Sequence, residues 1–230
     1  MRIDKYISET GFCSRRETKR LIAAGRIAVN GIVCDANILI EPEDIVWIDG
    51  EPITSSKGEP VYLALNKPIG ITCTAAPHVA GNIIDFVGYP SRIFAIGRLD
   101  KNSEGLILLT NDGEIVNKMM RSENGHEKEY VVNVDKPVTS EFLQAMSSGV
   151  NILGITTKPC EVYRITECQF RIILTQGLNL QIRRMSKELG YRVLKLERIR
   201  IMNITLDGLE LGQWRHLSSE ELNELMSRLN

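Results

Sequence analysis

Histidine and cysteine are scarce in this 230-residue chain, and neither is spaced to hold a metal. His78, His126 and His216 lie far apart, and Cys13, Cys34, Cys73, Cys160 and Cys168 include no Cys-x-x-Cys pair. An odd, scattered set of thiols argues against a disulfide frame and a zinc site, and fits a reducing cytoplasm. No apolar run approaches the roughly 18–20 residues that a membrane span needs. Met1-Arg2-Ile3-Asp4-Lys5 is charged with no apolar core behind it, unlike a secretory signal. There is no cofactor motif and no internal repeat. What remains, 43% hydrophobic and 25% charged, is ordinary for a globular protein of one good-sized domain or a small and a larger one.

A net charge of −1 does not by itself point to a nucleic-acid partner, but its distribution does. Between Met1 and Asn30, Arg2, Lys5, Arg15, Arg16, Lys19, Arg20 and Arg26 face only Asp4, Glu9 and Glu17. Between Gly31 and Pro60 the balance reverses to strongly acidic. Arg183, Arg184, Lys187, Arg192, Lys195, Arg198 and Arg200 form a second basic cluster. Two basic faces on a neutral protein can bind a polyanion, and two solvated faces are the plain alternative.

The first fifty-odd residues read as one compact unit. Ile3, Tyr6 and Ile7 share a face of a short helix ending at Gly11. Ser14-Arg15-Arg16-Glu17 is a capping box that starts a second helix running to about Ala24. Thr18, Leu21 and Ile22 take one side of it, and Arg15, Arg16, Lys19 and Arg20 make an exposed stripe on the other. Asn30-Gly31 predicts a hairpin turn, and Glu43-Asp44-Ile45-Val46-Trp47-Ile48-Asp49-Gly50 a further strand and turn. Residues 54–60 are small and polar, which predicts a linker between a domain at 1–53 and one at 61–230.

In the larger domain strands are predicted at 61–65, 93–96, 106–109, 129–134, 170–174 and 199–203. Helices are predicted at 114–120, 141–147, 179–189 and 219–229. The rhythm is not strand-helix-strand, so the fold class is α+β, with a mixed, largely antiparallel sheet flanked by helices.

Three places could carry chemistry. Arg98-Leu99-Asp100 follows one apolar run and precedes Gly105-Leu106-Ile107-Leu108-Leu109, so one carboxylate sits on a tight turn between two strands. A lone aspartate there is also a common turn residue. Tyr130 shares a strand face with Val132 and Val134, the position of an ordinary core tyrosine. Ile182, Met185 and Leu189 make an apolar helical stripe with Arg183 and Arg184 on opposite flanks, and periodicity does not say which arginine turns inward.

Gly97-Arg98-Leu99-Asp100, Leu65-Asn66-Lys67-Pro68-x-Gly70, Lys128-Glu129-Tyr130, Gln181-Ile182-Arg183-Arg184-Met185 and Gly212-Gln213-Trp214-Arg215-x-Leu217 stand in one chain behind the basic capped helix. Together they resemble the RsuA-like branch of the pseudouridine synthases, and the resemblance spans essentially the whole chain. The stretches 124–130 and 196–203 are most similar to a member acting on large-subunit ribosomal RNA.

The resemblance implies an S4-like RNA-binding domain whose Arg15, Arg16, Lys19 and Arg20 lie on phosphates, binding largely by counterion release. It implies Asp100 as nucleophile or electrostatic partner for the ribose C1′ or the ring C6, with Arg183 as its ion-pair partner. Tyr130 would stack on the target base and help move the C5 proton. Arg98 would bind a phosphate or fill the gap left by the extruded uridine, and Arg184 and Lys187 would face RNA backbone. Lys67-Pro68-Ile69-Gly70 would be a rigid turn beside the cleft. No cofactor and no metal are implied, because the isomerisation needs neither redox change nor external energy. The expected partner is ribosomal RNA of the large subunit, with transfer RNA as an alternative target and a non-catalytic assembly factor as the rival reading. A cytoplasmic monomer away from the membrane is expected. Leu180 departs from the family pattern, which has arginine or another polar group there, and this bears on local RNA contacts.

Overall fold

A computed structural model describes residues 1–53, 59–120 and 125–229. The predicted linker falls largely outside them, at 54–58. The chain divides into two compact units, one of Met1–Val61 with Pro90–Arg92 and Asn111–Gly113, the other of Tyr62–Tyr89, Ile93–Thr110 and Glu114–Asn230.

In the first unit, helices α1 (Ile3–Glu9) and α2 (Arg15–Ala23) accompany strands β1 (Ile27–Val29), β2 (Ile32–Val33), β3 (Val46–Ile48) and β4 (Glu51–Ile53). The strands form an antiparallel sheet in the order β2-β1-β3-β4. Local chemistry sets these boundaries. Ser14 caps α2 by accepting from the Glu17 N–H, and Asn30 (φ 51°) with Gly31 (φ 82°) makes the tight turn between β1 and β2. Ile3, Ile7, Leu21, Ile22, Ile27, Val46 and Ile48 build its core. Each such side chain contributes about 1.5–3 kcal/mol on burial.

The second unit contains β5 (Tyr62–Lys67), α3 (Ile83–Val87), β6 (Phe94–Ile96), β7 (Glu104–Thr110), α4 (Gly113–Met120), β8 (Lys128–Val134), α5 (Ser140–Ser148), β9 (Asn151–Ile152) and β10 (Ile155–Thr156). It continues with β11 (Glu161–Thr166), β12 (Gln169–Leu174), α6 (Gln181–Glu188), β13 (Val193–Ile201), β14 (Ile204–Thr205), β15 (Trp214–His216) and α7 (Ser219–Arg228). Its main sheet runs β11-β12-β8-β13-β7-β5-β15, with β14 beside β13 and β6 beside β7. Only the β13–β7 pairing is parallel, so the sheet is mixed and largely antiparallel, as predicted.

Every residue of β7 is buried, which is why its sequence is a continuous apolar run rather than an alternation. Leu106 and Leu108 pack with Ile115 and Met119 of α4 and Leu225 of α7. On β8, β12 and β13, Val132, Val134, Phe170, Ile172, Leu174 and Leu196 pack with Phe142 and Met146 of α5 and Ile182 and Met185 of α6.

Some elements differ from the sequence expectation. β13 begins six residues before the predicted 199, because its charges lie on a strand whose Leu196, Arg198 and Ile201 are buried. α6 begins at Gln181 instead of residue 179, because Leu180 adopts φ 52°, outside the helical region. The short α3, the edge strands β11 and β15, and β9, β10 and β14 carry no pattern long enough to predict. Among the described residues no helix is long and apolar enough to cross a membrane.

Candidate active site

Asp100 stands where β7 changes partner. Toward its end β7 pairs with β6, Ile96 facing Leu108; at its start it pairs with β13, Gly105 facing Arg198. The turn 97–103 leaves the sheet at that changeover. There the two backbones come so close that a Cβ on Gly105 (φ 103°) would lie 2.3 Å from the carbonyl oxygen of Arg198. Glycine is the residue that fits.

Main-chain bonds hold the turn. The Ser103 N–H donates to Asp100 O at 3.0 Å, and the Gly70 N–H to Lys101 O at 2.8 Å. Leu99 is buried, and its N–H lies 3.4 Å from Cys73 Sγ. Asp100 is half-buried and lines a cleft of about 360 Å³. Lys128 and Tyr130 from β8, Leu196 and Arg198 from β13, and Ile182 and Arg183 from α6 line the same cleft, and among the described residues Asp100 is its one acid.

Tyr130 satisfies both readings of its position. It packs against the core that Val132 and Val134 build, and it opens onto the cleft. Of the two arginines on α6, Arg183 lines the cleft. Arg184 is turned back on its own helix start, donating to Asn179 O at 3.0 Å and Asn179 Oδ1 at 3.2 Å.

The ion pair expected between Arg183 and Asp100 is not formed. Arg183 Nη2 donates to Asn102 O at 2.8 Å and to Ser103 Oγ at 3.3 Å, and Nη1 to Val193 O at 3.3 Å. The guanidinium thus satisfies acceptors of the turn that carries Asp100, in place of the carboxylate itself. Its Nε is a buried N–H without a partner. A second buried cation belongs to the turn that packs beside it. Lys67 is fully enclosed at the end of β5, and its ammonium donates to Pro68 O at 2.9 Å and Ile71 O at 3.0 Å. Burial pushes that ammonium down, while the neighbouring Cys73 and Asp100 oppose the shift. Lys67 therefore shapes its own turn.

Residues 61–188 match the RNA pseudouridylate synthase family, and residues 1–46 match the S4 domain. The chain belongs to the RNA pseudouridylate synthase family. The Escherichia coli K12 dual-specificity RNA pseudouridine synthase RluF is 51% identical over 98% of this chain and 78% of its own. Ribosomal large subunit pseudouridine synthase B of Bacillus subtilis is 33% identical over 97% and 95%. A crystal structure of a pseudouridylate synthase superposes with a TM-score of 0.72 at 29% identity, covering 98% of this chain and 99% of that one.

In this synthase the α2 stripe is exposed, with Thr18, Leu21 and Ile22 buried behind it. Its four cations are not equivalent. Arg15 donates to Asp4, which is 1% exposed and also holds Arg2, and Arg20 pairs with Glu17 at 3.0 Å. Burial would raise the Asp4 carboxyl, yet bonds from Arg15 and Asn37 and the charges of Arg15 and Arg2 hold it below the usual range. Arg16 and Lys19 have no partner among the described residues.

The downstream basic cluster is not one face. Lys195 pairs with Glu104 and Glu197, Arg200 with Glu127 and Glu129, and Arg192 with Asp135; Arg198 is buried. Lys187 is exposed on α6, and Arg98 is exposed at the cleft rim. Leu180 also lines the rim. A branched side chain at its positive φ carries strain on the order of 1 kcal/mol or more.

Sequence reasoning missed Lys128 and Arg198 as residues of the site, and gave Lys67 a turn beside the cleft without its burial. The signal for Arg198 was its spacing: Leu196 and Arg198 share a strand face, so a charge at that position is enclosed. Among the described residues no group of three or more His, Cys, Asp or Glu side chains is placed to hold a metal ion.

Proposed function

We propose that this synthase isomerises a uridine of large-subunit ribosomal RNA, with a transfer RNA as second target, and works as a cytoplasmic monomer. The observation that carries the reading is the cleft itself: among the described residues, one carboxylate, a tyrosine ring and several cations around a hollow of about 360 Å³, with room for an extruded nucleoside. The 51% identical relative is named as a dual-specificity enzyme and the 33% identical one as a large-subunit enzyme, which supports two classes of RNA.

The chemistry asks little of the protein beyond these groups. The C1′–N1 electron pair leaves with the base, the base turns, and C5 takes the place of N1 on C1′. C5 then loses its proton and N1 gains one, so substrate and product are isomers. The Asp100 carboxylate meets the electron-poor carbon, whether C1′ or C6, and departs unchanged. Tyr130 supports the extruded ring and handles the C5 proton. Arg183 acts by fixing the turn behind Asp100 through Asn102 and Ser103. Arg98, Arg184 and Lys187 meet RNA around the cleft, and Arg15, Arg16, Lys19 and Arg20 dock folded RNA, Arg16 and Lys19 being the freest to exchange counterions for phosphates.

Pseudouridine maps of ribosomal and transfer RNA from cells with and without the protein test the reading. At least one large-subunit position is expected to lose its pseudouridine when the protein is absent. Unaltered maps would favour the assembly-factor reading instead.

A further inference from the structure

Among the described residues, two guanidinium groups present a buried N–H without a partner, Arg183 at Nε and Arg198 at Nη2. Both belong to side chains that line the same cleft. Buried donors in native proteins are nearly always satisfied, and a charged one left bare is costly. Two in one hollow indicate that the acceptors arrive with the ligand.

Arg198 is the more constrained of the pair. It is 2% exposed, and two of its nitrogens are committed to main chain: Nε donates to Leu106 O at 2.6 Å, and Nη1 to Arg98 O at 3.5 Å. Those bonds tie β13 to β7 and to the start of the Asp100 turn, so the guanidinium cannot swing out to meet a ligand at the surface. Among the described residues no carboxylate lies within salt-bridge distance of it. Its Cζ lies 6.0 Å from the centroid of the Tyr130 ring, directly across the β8–β13 pairing. Lys128, two residues along β8, adds a second cation, held down by burial and by the charge of Arg198.

The free Nη2 thus needs an acceptor that reaches the cleft interior beside an aromatic face. A backbone phosphate, charged and bulky, belongs at the rim with Arg98 and Lys187. A planar base against Tyr130 carries its carbonyl oxygens in its own plane, at its edge. Resting on the uridine-isomerising reading above, we infer that Arg198 Nη2 donates to a carbonyl oxygen, O2 or O4, of the extruded uracil. This bond strengthens as the ring takes up the electron pair from C1′–N1, so Arg198 favours the reacting base over the resting one. If the oxygen is O4, the same bond rejects cytidine, which offers a donor there.

The test uses the full chain and an RNA stem-loop containing a uridine that the wild-type enzyme converts. That stem-loop is also made with 2-thiouridine or with 4-thiouridine at the target, because sulfur accepts a hydrogen bond poorly. Single-turnover rates and RNA affinities are compared for wild type and Arg198→Lys. One of the two sulfur substitutions is expected to slow wild type by about 10- to 100-fold, the range of a charge-assisted hydrogen bond. Arg198→Lys should slow the oxygen substrate comparably, keep RNA affinity within about threefold, and reduce that sulfur effect to about twofold or less. The position of the effective sulfur tells O2 from O4. If neither sulfur slows wild type, the inference falls even if the variant does not fold. If the variant is slow but keeps the full sulfur effect, Arg198 only braces the sheet and the inference also falls. A wild-type enzyme that converts no uridine in ribosomal or transfer RNA would instead defeat the functional reading, before any variant is compared.

Discussion

Replacing Asp100 by asparagine is expected to abolish isomerisation while leaving RNA affinity within about threefold, since the RNA contacts proposed above are the cations around the cleft and on the S4 domain. Asparagine keeps the shape of the side chain and its place on the turn. The turn itself is held by main-chain bonds from Ser103 and Gly70 and by burial of Leu99, none of which involves the carboxylate. What is lost is the negative charge and the nucleophilic oxygen. A fall on the order of 10⁴-fold in rate matches the removal of a catalytic carboxylate from other enzymes. Single-turnover conversion and filter binding on the same RNA separate the two effects. Normal turnover by Asp100→Asn would remove Asp100 from the chemistry.

Gly105→Ala is expected to be the most damaging small substitution in the larger unit. A methyl group there would meet the Arg198 carbonyl oxygen at 2.3 Å and its amide nitrogen at 2.6 Å, and both are backbone atoms that no rotamer change can move aside. The φ of 103° adds strain for any residue with a Cβ. Relief requires β13 to move off β7, which breaks the pairing of Glu104 with Glu197 and of Gly105 with Arg198. A loss of about 3–5 kcal/mol follows, a drop in Tm of roughly 10 °C in a unit of this size. Thermal unfolding followed by circular dichroism reads it directly. A Tm within about 2 °C of wild type would show that the β7–β13 approach is softer than its geometry implies.

The same glycine shows where the sequence was legible and where it was not. The run Leu106-Ile107-Leu108-Leu109 marked a buried strand, but nothing in it announced a parallel neighbour about ninety residues away. Caps and tight turns were readable because their chemistry is local: Ser14 with Glu17, Asn30 with Gly31. Periodicity placed Ile182 and Met185 in the core but left Arg183 and Arg184 undecided, because a helical stripe says which side is buried and not what lies opposite. The family resemblance brought Arg183 to the Asp100 turn, yet the structure puts its bonds on Asn102 and Ser103, a distinction of a few ångströms that no pattern encodes. Lys67 and Arg198 were read as turn and surface charges. They are enclosed because strands distant in sequence close over them, and burial of that kind is a property of the assembled sheet.

The charge distribution around the cleft follows from that assembly. The guanidinium groups of Arg98, Arg183 and Arg198 and the ammonium of Lys128 give the hollow an excess of positive charge over Asp100, the one acid among the described residues that line it. That excess suits a base that gains electrons during the reaction.

The structure of the full chain bound to its target stem-loop, captured with Asp100→Asn to halt turnover, tests the central claim most directly. The account predicts an extruded uridine in the cleft, its ring against Tyr130 and its C1′ or C6 within about 3.5 Å of the residue 100 side chain. A target uridine still stacked in its helix, or seated on a surface away from that side chain, would contradict it.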